Sequence, residues 1–68
     1  MIDTKKIDPL IADEYEAIEG YEKYLSSIKG TAEFGSVSSV IKEIIGDEQD
    51  HIKRLNELKR SAKRYINY

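Results

Sequence analysis

The chain has 68 residues, 40% hydrophobic and 35% charged, with a net charge of −2 and no cysteine. Disulfides are excluded, and a chain this short needs a metal, a second subunit or both to complete a stable core. No apolar run approaches the ~20 residues that span a bilayer. The opening MIDTKKIDP lacks a signal-type apolar stretch, so a cytoplasmic protein with no membrane partner is expected.

The first helix is expected over about residues 8–29, with Asp8 as N-cap and Pro9 in the first helical position. Gly30 suits the residue just past a helix end. Residues 30–35 (GTAEFG), bounded by two glycines, read as the connection. Ser36 is the expected cap of a second helix over about 36–65. The apolar residues follow a helical period and show no strand alternation.

The apolar seam of helix 1 is Ile7, Ile11, Glu14, Ile18, Tyr21, Leu25 and Ile28. That of helix 2 is Val37, Ile41, Ile44, Glu48, His51, Leu55, Leu58, Ala62 and Tyr65. Steps of three and four alternate throughout, as in helical bundles. Leu10, Ala17 and Tyr24 widen one flank of helix 1, and Ile45 and Ile52 widen one flank of helix 2. Stripes this wide exceed what a lone hairpin can cover. The expected fold is therefore all-α: an antiparallel two-helix hairpin that dimerises about a two-fold axis into a four-helix bundle.

Three seam positions are strongly polar: Glu14, Glu48 and His51. Opposed residues in an antiparallel hairpin have a constant sum of numbers. The pairs 25/37, 21/41, 18/44, 14/48 and 11/51 all sum to 62, which sets Glu14 opposite Glu48 with His51 one turn further along. A two-fold axis through this layer gathers four carboxylates and two imidazoles, whose charge matches two divalent ions. Oxygen and imidazole donors suit iron or manganese, with zinc as a further candidate. The alternative is a metal-free buried network that fixes register, as seam polar residues do in some coiled coils. Six ionisable groups per dimer is a costly way to achieve that.

Tyr21, two turns from Glu14 on the same face, is a candidate to hydrogen-bond a ligand carboxylate. A core tyrosine with a backbone partner is the other reading. Asp13, Glu16, Asp47 and Asp50 point away from the seam, with Asp47 and Glu16 candidates to line an ion path. Residues 53–64 hold six basic residues and one acid. Such a bias complements a helix C-terminal dipole, and the acidic chain as a whole weighs against nucleic acid.

Residues 8–58 resemble the ferritin-like di-iron superfamily. ADEYEAIEGYE (12–22) looks like its first ligand helix, where a glutamate precedes a tyrosine by seven, and IIGDEQDHI (44–52) looks like the Glu-x-x-His helix of rubrerythrins. Full-length members carry two such helix pairs, so this chain is most similar to half-ferritins such as the encapsulated ferritins. The resemblance implies Glu14 as terminal ligand, Glu48 bridging, His51 as nitrogen ligand and Tyr21 near the site, with two iron ions per dimer and ferroxidase-like oxidation of Fe(II) by oxygen or peroxide. Two readings stand beside it: a rubrerythrin-like peroxide reductase with an external electron donor, and a non-catalytic metal-binding or structural bundle. There is no Cys-x-x-Cys module, and the tail AKRYINY does not look like an encapsulin-targeting peptide. The expected partners are a second copy, further copies in a larger oligomer, and metal ions.

Overall fold

The computed structural model of the chain describes residues 4–66, with side chains described as far as Ser61. A 3-10 turn at Thr4–Lys6 leads into α1, Ile7–Ser27, and α2 follows at Phe34–Ile66. The described residues are all helical or turn, with no strand. The expected hairpin is therefore observed, while its pairing with a second chain lies beyond a single copy. No helix among the described residues is long and apolar enough to cross a membrane. The seam positions Ala62 and Tyr65 have side chains outside the described set, as does most of the tail compared with targeting peptides.

The helix ends differ from the sequence reading. Lys6, not Asp8, occupies the N-cap of α1, and it makes no side-chain capping bond. Pro9 thus lies within the first turn, where a missing N–H is still one of the donors that lack an intrahelical partner. Asp8 instead accepts from Lys59 Nζ at 2.6 Å, tying the start of α1 to the last third of α2. α2 begins two residues before Ser36. Its first turn closes on the Glu33 carbonyl, which accepts from the Val37 N–H at 3.0 Å and from the Ser36 hydroxyl at 3.1 Å. Ser36 is therefore inside the helix and donates backwards, a common use of serine there.

Between the helices, the Ile28 carbonyl accepts from the N–H groups of Gly30 and Thr31 and from the Thr31 hydroxyl at 2.8 Å. Gly30 has φ 147°, a backbone region that side chains disfavour. The expected role of Gly30 in ending α1 holds, one residue further from the helix than anticipated.

The two helices bury little. Among the described residues, only Ile7, Ile18 and Ile52 of the apolar side chains are buried. All seven seam positions of α1 are buried or half-buried. The α2 seam divides. Val37, Ile41, Ile44, Glu48 and Leu55 are half-buried, but His51 and Leu58 are exposed, and Ile52 replaces them against α1. At about 100° per residue, the surface of α1 turning one way from Glu14 carries Leu10, Ala17 and Tyr24. The same sense of rotation from Glu48 on α2 brings Ile44, His51, Val40 and Leu58. Because the helices are antiparallel, both flanks lie on one face of the hairpin. Leu10, Tyr24, Val40 and Leu58 are each between 42% and 56% exposed there.

The chain is consequently thin, 57 × 15 × 11 Å, with a radius of gyration of 16.2 Å. A compact domain of this length would have about 11 Å. Its accessible surface is 5387 Å², against roughly 4,400 Å² for a compact monomer of this mass. The excess is close to the ~800 Å² that one partner contributes to a standard interface.

Substituting Ile52→Ala should cost about 2–4 kcal/mol in urea unfolding, the usual range for truncating a buried isoleucine. Lys59→Ala removes a largely solvated ion pair and should cost under about 1 kcal/mol.

Candidate metal centre

Glu14 comes from the middle of α1, and Glu48 and His51 from the middle of α2. The helix pairing that buries Ile18 and Ile52 brings them together. One ligand atom from each of the three lies within 4.8 Å of the other two. His51 Nδ1 stands 3.4 Å from Glu14 Oε2, and the Glu48 carboxyl lies near enough to Glu14 to be perturbed by it. The register expected from the seams, with Glu14 opposite Glu48, is the register observed. No other group of three or more acidic, histidine or cysteine side chains with this geometry occurs among the described residues.

The burial is graded. The Glu14 side chain keeps 24% of its exposure and that of His51 keeps 50%. The imidazole lies on the apolar face of the hairpin, beside the flank carrying Leu58 and Val40, rather than inside the interhelical contact. The periodicity placed His51 in a core, and within the single chain it is exposed.

The electrostatics follow from the geometry. The Glu48 carboxyl is held above its ordinary value of 4.5, first by its hydrogen bond with Glu14, then by desolvation and by the negative charge of Glu14. His51 opposes the rise and Asp47 adds to it. Two facing carboxyls need a shared proton or a cation between them. A metal ion could supply that positive charge. Donors at about 2.1 Å from one ion in a tetrahedral arrangement lie about 3.4 Å apart, so the three side chains, now within 4.8 Å of one another, would have to draw together to share an ion. Two carboxylates and one imidazole form a hard, oxygen-rich donor set, consistent with iron, manganese or zinc.

The neighbouring acids stay outside the cluster. Asp13, Glu16, Asp47 and Asp50 are all exposed, and Asp50 is paired with Arg54 at 3.0 Å. Tyr21 is half-buried on the same face of α1. Its hydroxyl makes no hydrogen bond to Glu14 or Glu48 among the described residues. The Lys59–Asp8 bridge was not visible in the sequence, because its numbers sum to 67 and match no seam pair. Its only signal was a lysine beside an apolar stripe, its stem long enough to reach across the helix.

Comparison of the chain with known protein families, with curated proteins and with solved structures finds no match in any of the three. The ferritin-like resemblance therefore rests on the sequence motifs alone.

A raised carboxyl pKa has a definite sign in stability. The folded protein keeps the Glu48 proton to higher pH than the unfolded chain, so the metal-free fold is penalised as pH rises above 4.5. Glu48→Gln should remove that penalty. In chelator, the variant should melt above the wild type at pH 7, and the gap should close as pH falls below 4.5. Melting curves across that range read the effect, and a gap that persists at low pH would count against it.

Proposed function

We propose that this chain is half of a ferritin-like dinuclear metal protein. Two copies form a four-helix bundle whose central layer holds two metal ions, and the assembly oxidises Fe(II) with oxygen or peroxide. The observation that carries the reading is the convergence of Glu14, Glu48 and His51 from two helices within 4.8 Å, on a hairpin that leaves an apolar face open beside them.

One chain supplies two carboxylates and one imidazole. Doubling gives four carboxylates and two imidazoles, enough negative charge to neutralise two divalent ions and enough donors to hold them in a protein cage. The half-exposed imidazole supports this reading, because His51 borders the face that a second copy would cover. In that assembly Glu14 and Glu48 hold the cations between the helices, and His51 adds the nitrogen donor. Iron held by Glu14, Glu48 and His51 would supply the electrons that reduce oxygen or peroxide. The protein fixes the donors, and its apolar flank keeps bulk water from the layer. The Tyr21 hydroxyl, two turns along α1 from Glu14, would orient a ligand carboxylate in this reading.

The direct contact between Glu14 and His51 supports one other reading, a metal-free polar network that fixes helix register. The two readings separate by titration. Under anaerobic conditions the protein should bind about two Fe(II) per dimer, and His51→Ala or Glu48→Ala should lose that binding. Oxygen or peroxide should then oxidise Fe(II) in excess of the bound amount. Tyr21→Phe should keep the stoichiometry and slow the oxidation. Undiminished binding by His51→Ala would remove the ligand assignment, and stoichiometric oxidation without turnover would leave a binding protein.

A further inference from the structure

We infer that the basic end of the hairpin docks on a membrane surface bearing anionic phospholipid, through the side of α2 that carries Lys53 and Arg60. The contact is peripheral. No helix among the described residues is long and apolar enough to cross a bilayer, but a charged surface asks only for opposite charge.

The first observation is how charge divides along the rod. Residues 53–64 hold six basic residues and one acid, a balance of +5. The 3-10 turn, which packs against α2, brings Lys5 and Lys6 to the same end. Residues 9–52 hold ten acids and three basic residues, a balance of −7. With the observed register, those acids are centred level with about residue 45 of α2, and the basic residues of 53–64 near residue 59, about 20 Å away. That separation exceeds the screening length of about 8 Å in physiological salt. A flat anionic surface that meets the rod end first therefore feels the basic end and little of the acidic body.

The second is position on the helix. A helix dipole draws cations only to the last turn, and α2 ends at Ile66. Lys53 stands about 20 Å before that end, so the dipole does not account for it. Lys53 and Arg60 are seven residues apart, two turns along one line of α2. Both are exposed, and neither has an ion-pair partner among the described residues. Arg54 and Lys59, in contrast, are held by Asp50 and Asp8. By register, positions 63 and 64, a lysine and an arginine, fall within about 80° of the same line. Leu58 lies about 140–160° round the helix from it. A second copy covering the Leu58 flank would thus leave the basic line open.

The third favours lipid over nucleic acid. The last turn of α2 adds Tyr65 and Ile66 to its basic residues. An aromatic and an aliphatic residue beside cations suit a lipid–water interface, whereas nucleic-acid phosphates would use the cations alone. A nucleic-acid module is also basic as a whole, and this chain has a net charge of −2.

Vesicle flotation tests the inference. At about 150 mM NaCl, the protein should bind phosphatidylcholine vesicles containing roughly one phosphatidylserine in three lipids, and should not bind pure phosphatidylcholine. Equal binding to both, or binding to neither, would overturn it. Lys53→Gln with Arg60→Gln should weaken binding about 30-fold, since each basic residue near such a surface contributes about fivefold. Lys29→Gln with Lys42→Gln makes the same change in net charge on the acidic body and should leave the affinity within about twofold. Equal losses in the two pairs would assign the effect to net charge and remove the patch. All four side chains are exposed, so circular dichroism should show unchanged helix in both. Tighter binding to a mixed-sequence DNA duplex than to the vesicles, at equal accessible phosphate, would give the patch to nucleic acid and overturn the lipid assignment.

Discussion

Two carboxyl groups facing each other across a helix pair set the terms for everything else in this chain. Glu14 and Glu48 meet at the height where Ile18 and Ile52 begin the small buried core, and their contact raises the Glu48 pKa. A contact of that kind opposes the folding that creates it unless a proton or a cation lies between the groups. The apolar burial that would normally outweigh such a cost is slight among the described residues, with three isoleucines buried and none of the large side chains fully enclosed. The hairpin therefore holds a repulsive element at its centre with little to spare elsewhere. That combination is hard to explain as a stability device.

The helices and their register were legible because they follow from a single physical rule. Residues that avoid water recur at the helical period, and the seven seam positions of α1 are the ones the fold shields. The pairing of Glu14 with Glu48 followed from the same seams by arithmetic. The helix ends were less legible. Asp8 and Ser36 are good capping types, but each has another partner: Lys59, across the hairpin, for Asp8 and the nearby Glu33 carbonyl for Ser36. Capping preference is worth about 1 kcal/mol, and one competing bond is enough to redirect it.

The α2 seam shows a deeper reason for partial legibility. A periodic stripe records every surface a helix must cover, without saying which partner covers which part. In α2 one side of the stripe, through Ile52, meets α1, and the other, through His51 and Leu58, meets nothing in its own chain. The sequence thus reads as one broad seam, while a single copy reveals two narrower ones. The exposed half carries a histidine beside leucine and valine, an arrangement that isolated surface polarity does not call for.

If the open flank is covered by a second chain, metal binding and association become one equilibrium viewed from two sides. A cation held by donors from both chains binds the pair and not the single hairpin, so it must favour the pair by the ratio of those affinities, and the pair must favour the cation equally. The repulsion between Glu14 and Glu48 sharpens this coupling. Without a cation, bringing a second Glu-Glu-His cluster to the same level adds like charge, and the apolar flank has to overcome it. With a cation, the same charges become the attraction. A weak core, an open apolar face and crowded carboxylates would each be a defect in a monomer. In such a pair they would together let assembly respond to metal, because no single term would be large enough to fix the outcome alone.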